Sequence, residues 1–181
     1  MKRRSFLKSA ATAFPLALTP SFAFATTHLS DPVSKEAMIV PAGHDRLDET
    51  HPGFGGLEFK VLTRETNGNL FVIEHANAVH GGPPLHLHLE QEEWFYVIEG
   101  EFLFQIGDKQ VKLGPGESAL GPRRVPHAFA VTGRTPGRMI IAFSPAGSME
   151  EFFRGASSPQ QSAAYYRKHG MELLGPPLNG T

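Results

Sequence analysis

Residues 82–100 read GPPLHLHLEQEEWFYVIEG, and the alternation inside this stretch decides the fold. Side chains of a β-strand point to opposite faces at successive positions. His86 and His88 therefore share one face, while Leu85, Leu87 and Leu89 share the other. Two imidazoles two residues apart on one strand can reach a single ion. Glu93 follows across a turn made of Glu90, Gln91 and Glu92, and opens a second strand in which Glu93, Phe95 and Val97 face the same way. A carboxylate from a neighbouring strand adds a third ligand, and His127, at the start of a later strand, can supply a fourth. Three imidazoles and one carboxylate suit a divalent transition metal with open coordination positions. The HxH pair alone is a weak signal.

The same short-strand pattern runs outward from this stretch. Strand-like runs at 57–63, 70–76, 85–89, 93–98, 102–106, 110–113, 118–120, 127–132 and 138–143 are separated by Gly, Pro, Asn and Asp. Short strands at such spacing predict an all-β sandwich or small barrel over residues 56–147. The 19 glycines and 15 prolines agree with a turn-rich chain. Residues 26–55 read as a polar arm with one short strand at 38–40. After Pro145 the period changes, and helices are expected at 149–155 and 160–169, making residues 148–181 a helical tail. Cysteine is absent, which excludes disulfides, thiolate ligands and thiol nucleophiles.

The first 25 residues carry Lys2, Arg3, Arg4 and Lys8, then a weakly apolar stretch, then Ala23-Phe24-Ala25. This is the layout of a cleavable export signal, and its apolar part is too short to anchor the chain in a membrane. Without it, 13 basic and 18 acidic side chains remain, a net charge of −5 that argues against nucleic acid as a partner. Arg3-Arg4-Ser5-Phe6-Leu7-Lys8 resembles the twin-arginine signal. The resemblance implies passage through the twin-arginine translocase, already folded, to the periplasm or another exported location.

Residues 82–100 also resemble the first cupin motif, through His86, His88, Glu93 and Gly100. Residues 116–127, GESALGPRRVPH, resemble the second, through Gly116, Pro122 and His127. Arg124 stands where that motif has a second glycine and Val131 where it has Asn, so the turn before His127 is expected to need no glycine conformation. From about Gly43 to Pro145, and again at 170–177, the chain is similar to the small quercetin-dioxygenase-like cupins. The resemblance implies a jelly-roll barrel with short C-terminal helices, a metal held inside by His86, His88, Glu93 and His127, and a homodimer. It also implies an apolar cavity above the metal, for which Phe95, Phe104 and Phe129 are the candidate lining residues. Three activities share this ligand set. The leading one is a dioxygenase for a small organic substrate, with Glu93 doubling as a general base. The others are an isomerase or lyase, and a non-catalytic periplasmic protein that binds metal or a small molecule.

Affinity alone favours copper among the divalent ions. Folding before export changes that competition, because the cytoplasm holds free copper and zinc very low. The expected metal is therefore Fe²⁺ or Mn²⁺, with Ni²⁺, Cu²⁺ and Zn²⁺ as the alternatives. Of the other histidines, His28, His44, His51 and His169 read as solvated, and His75 and His80 as near the site. Replacing both Arg3 and Arg4 by Lys should leave the precursor in the cytoplasm, which cell fractionation with an antibody to the mature chain would show.

Overall fold

A computed structural model describes residues 36–51, 53–79, 81–156 and 161–179. The export signal, the first part of the arm, His28 and His80 lie outside the described residues.

Two antiparallel five-stranded sheets form a jelly roll. The strands are β1 (Leu57–Val61), β2 (Phe71–Ala78), β3 (Pro84–His88), β4 (Glu92–Glu99), β5 (Phe102–Ile106), β6 (Lys109–Leu113), β7 (Ser118–Gly121), β8 (His127–Val131), β9 (Gly137–Ser144) and β10 (Met171–Pro177). One sheet runs β1-β2-β9-β4-β7 and the other β10-β3-β8-β5-β6. Two short helices, α1 (Met149–Gly155) and α2 (Ala163–Lys168), lie between β9 and β10.

Alternation explains the core. In β4 the buried residues are Glu93, Phe95 and Val97, while Trp94 and Tyr96 are exposed. In β9 every second residue from Gly137 to Phe143 is buried. Phe59, Phe71 and Phe143 of the first sheet and Phe102, Phe104 and Met171 of the second are all at 1% exposure or less. Every residue of β8 is buried, because that strand sits between β3 and β5 and is covered on its outer face too. Glu99-Gly100 turns β4 into β5 with Gly100 at φ 84°, a conformation that favours glycine.

Three expectations need correction. The described residues at 38–40 form no strand. The arm is instead fastened by Asp45, whose carboxylate accepts the backbone N–H groups of Leu47 (2.8 Å), Glu49 (3.2 Å) and Phe59 (2.6 Å). Its fourth partner is the ring of His51, 3.0 Å away and stacked on Phe59. The second helix begins only at Ala163, where the Ser162 hydroxyl accepts from the Tyr165 N–H. The tail then ends as a strand, β10, paired antiparallel to β3 with Met171 opposite His88 and Leu173 opposite His86. Gly175, Pro176 and Pro177 disguise this strand, and an edge position is where a strand tolerates proline.

Gly82 marks a close backbone approach in the barrel. A Cβ placed there would lie 1.7 Å from the Phe129 carbonyl oxygen, because the chain entering β3 runs close alongside β8, with Gly81 bridged to Val131. A Cβ on Gly114 would meet nothing nearer than 3.9 Å. Gly82→Ala should therefore cost about 2–3 kcal/mol, and Gly114→Ala less than about 0.5 kcal/mol, as read by denaturant unfolding.

Candidate metal centre

β3 and β8 are neighbours, with His86 directly opposite His127. This pairing, with the alternation along β3, sets His86, His88 and His127 on the inner face of one sheet. Glu93 enters from β4 in the facing sheet, so the four side chains converge across the barrel interior. All are buried, at 6%, 0%, 1% and 5% exposure for His86, His88, His127 and Glu93. Their ligand atoms lie within 4.8 Å of one another. Glu93 Oε2 is the common point: Nε2 of His127 is 2.8 Å away, that of His88 3.0 Å and that of His86 3.8 Å. Opposite Glu93 in β7 stands Gly121, where a Cβ would come within 3.0 Å of the His127 ring. Only a residue without a side chain leaves that imidazole its place.

The tautomers follow from the outer contacts. A backbone carbonyl can only accept a hydrogen bond. Nδ1 of His86 therefore donates to the Pro84 carbonyl (2.8 Å) and Nδ1 of His127 to the Val125 carbonyl (2.9 Å). In the neutral rings both Nε2 atoms then carry lone pairs, and both point toward a carboxylate oxygen that also only accepts. Such contacts are repulsive unless a proton or a cation lies among them. Outward N–H groups tied to carbonyls, with inward lone pairs, are the arrangement of metal-ligating histidines. The donor set fits a divalent ion.

The charges agree. Burial works to raise the Glu93 carboxyl, but the contacts with His127 and His88 outweigh it and hold Glu93 well below the usual carboxylate range. Burial and the neighbouring His127 pull His86 down to about 3, so it stays neutral. For His127 burial works downward, but the hydrogen bond and charge of Glu93 win and lift it above 6.5.

The turn before His127 departs from expectation. Arg124 lies at φ 63°, the left-handed region, so the glycine conformation is kept without the glycine. That conformation costs an L-residue about 1–2 kcal/mol. Its N–H donates to the His88 carbonyl at 2.6 Å and its side-chain Nε to the Leu89 carbonyl at 3.2 Å. These bonds tie the turn to β3 and offset the strain.

A cavity of about 460 Å³ opens over the centre. His86, His88 and Glu93 form part of its wall, and Ile73, Ile141, Phe143 and Phe153 supply apolar wall. Phe129 lines it, as expected, but Phe95 and Phe104 do not. They pack on each other (5.1 Å between ring centroids) and on Phe129 (5.8 Å each), filling the barrel beyond the centre. Sequence parity placed their faces correctly and could not tell which end of the barrel was solid.

His75 lines the cavity and lies 3.2 Å from the Gly55 carbonyl. His44 is exposed. His51 and His169 are buried, at 8% and 3% exposure, rather than solvated. One pairs with Asp45, and the other packs against Tyr165 and Phe152. A residue missed from the sequence is Tyr166 on α2. It lines the cavity edge-on to His86, at 5.6 Å between ring centroids. Burial and the negative charge of Glu93 push its phenol up to about 12, so it stays protonated.

Comparison with known proteins bears on the central part of the chain. Residues 76–143 match the family model of the cupin domain, a span that holds all four site residues. The chain is also similar to solved structures. A Bacillus halodurans protein is 23% identical, over 43% of this chain and 64% of that one, just under two thirds, with a TM-score of 0.41. An RmlC-like cupin from Shewanella frigidimarina is 28% identical, over 51% and 78%, with a TM-score of 0.41. A Klebsiella pneumoniae protein with a double-stranded β-helix domain is 18% identical, over 61% and 92%, with a TM-score of 0.48. Among curated proteins none matches. The molecule is a jelly-roll protein whose residues 76–143 match the cupin domain, with a buried His/Glu cluster able to bind a metal.

Metal must displace the proton from His127 wherever that residue is charged. Affinity for Zn²⁺ should therefore be flat above the raised His127 value and fall about tenfold per pH unit below it. Chelator competition from about pH 5 to about pH 8 checks the slope. The His86→Ala, His88→Ala double variant should hold no stoichiometric metal at any of these pH values.

Proposed function

We propose that the protein is an exported, metal-dependent dioxygenase for a small organic substrate. The observation that carries this reading is the apolar cavity lying directly over the four-residue centre. A site built only to store a metal needs no ligand-sized space beside it, whereas small-molecule sites are apolar pockets with a few placed polar groups. The metal is Fe²⁺ or Mn²⁺, acquired before export by the twin-arginine route, and once bound it would supply Lewis-acid and redox chemistry at its open positions.

The chain's own residues have separate tasks. His86, His88 and His127 present Nε2 to the centre, fixed in direction by the carbonyls of Pro84 and Val125 for the first and last. Glu93 contributes the negative charge. The contacts with His127 and His88 hold its carboxyl well below the usual range, which makes the carboxylate a weak proton acceptor and fits a substrate that arrives already as an oxyanion. Phe143, Ile73 and Phe153 exclude water and hold the apolar body of the substrate.

The test is oxygen uptake by the mature protein loaded anaerobically with Fe²⁺ or Mn²⁺ and given a panel of flavonoids and β-diketones. Uptake that matches product formation, and that disappears in Glu93→Gln, is the expected result. Product without oxygen uptake would point to an isomerase or lyase. Binding without turnover would point to a non-catalytic binding protein.

A further inference from the structure

α1 and α2 close one side of the cavity, and the closure is specific. The Tyr165 hydroxyl donates to the Phe152 carbonyl at 2.8 Å, joining the two helices. It passes so close to Gly155 that a Cβ there would lie 2.7 Å from it. Its neighbour Tyr166 turns the other way. Tyr166 is 2% exposed, its ring meets His86 edge-on, and it also packs edge-on against Phe152. Among the described residues no hydrogen bond engages its hydroxyl, although it lies in the cavity wall beside His86, His88 and Glu93. A donor on a cavity wall with no protein partner is free to bond whatever occupies the cavity. Phenylalanine would fill the same space without offering that bond.

We propose that Tyr166 is a ligand-binding residue of this site: its hydroxyl donates a hydrogen bond to the anionic oxygen of the ligand that occupies the cavity. The inference rests on reading the centre as a metal site with a ligand beside it, and not on any reaction there. The ligand class follows from the wall. One end offers a cation site and a phenol donor, and the rest is apolar, so the fitting molecule is an apolar body carrying an ionised oxygen at one end. Tyr166 would select for that oxygen, since an ether or hydrocarbon in its place would leave the phenol unpaired.

The experiment uses 4-nitrocatechol and protein loaded with Zn²⁺, which is diamagnetic and does not turn the probe over. The chain has three tyrosines, Tyr96, Tyr165 and Tyr166. Wild-type protein carrying 3-fluorotyrosine should therefore give three fluorine resonances, assigned with Tyr96→Phe and Tyr165→Phe. On adding the probe, the Tyr166 resonance should shift and that of Tyr96 should not. Tyr166→Phe should keep its metal and bind the probe about tenfold or more weakly. The pH at which the bound probe loses its second proton, read at its visible band, should rise in that variant, a change that a merely structural role would not produce. A Tyr166 resonance that does not move, an affinity within about twofold of wild type, or no binding of the probe by wild type would each overturn the proposal. If Tyr166→Phe fails to fold, the fluorine titration of wild type decides alone. Probe binding with a Tyr166 shift, alongside no oxygen uptake on any substrate, would leave this inference standing and remove only the dioxygenase reading.

Discussion

Everything in this molecule is arranged around one buried carboxylate. Taking Glu93 out of water is expensive, and nothing but opposite charge or strong hydrogen bonding can offset that cost. The compensation comes from across the barrel, from imidazoles on a different sheet. That requirement sets β3 against β8 so that His86 faces His127, and sets β4 against β7 so that Glu93 faces a glycine. It also explains Arg124, which accepts a left-handed backbone so that its N–H can bond the His88 carbonyl. A metal at the centre would resolve the remaining conflict among lone pairs and join the two sheets at their most buried point.

The barrel is filled unevenly, and the function lies in that asymmetry. On one side of the centre Phe95, Phe102 and Phe104 pack on one another and against Phe129, edge-on or tilted. On the other side the wall is finished by α1, α2 and β10, and a cavity remains. β10 fastens this wall to the barrel along its pairing with β3. β10 pairs with the histidine strand itself, and the Leu89 N–H donates to the Gly170 carbonyl at 2.9 Å as that strand begins. The C-terminal elements thus shape the site as directly as the strands that carry the ligands.

The arm before β1 obeys similar physics with a different outcome. Asp45, Glu49 and His51 come together, and at first sight could hold an ion. Asp45, however, already accepts three backbone N–H groups and faces His51, and Glu49 pairs with Arg154. Its valences are spent on fastening the arm. The barrel site differs because Nε2 of His86 and of neutral His127 turn lone pairs inward toward a carboxylate that only accepts.

Local pattern alone determined the class of the fold, most of the strands, the first helix and the four converging side chains. A strand's two-residue period assigns faces without reference to anything distant, and the His86, His88, Glu93 spacing follows from one turn between two strands. Tertiary structure alone decided the rest. Which end of the barrel is solid depends on where α1, α2 and β10 pack, and no local period reports that, so Phe95 and Phe104 could not be told from Phe129. β10 is a strand only because the exposed edge of β3 is there to pair with, despite Gly175 and two prolines. His51 and His169 are polar in sequence context yet buried, since burial belongs to the assembled surface and not to neighbours in the chain. Arg124 adopts a glycine's conformation because the His88 carbonyl and the Leu89 carbonyl reward it. Tyr166 enters the site from a short helix some forty residues beyond the nearest ligand, and only packing brings its phenol beside His86.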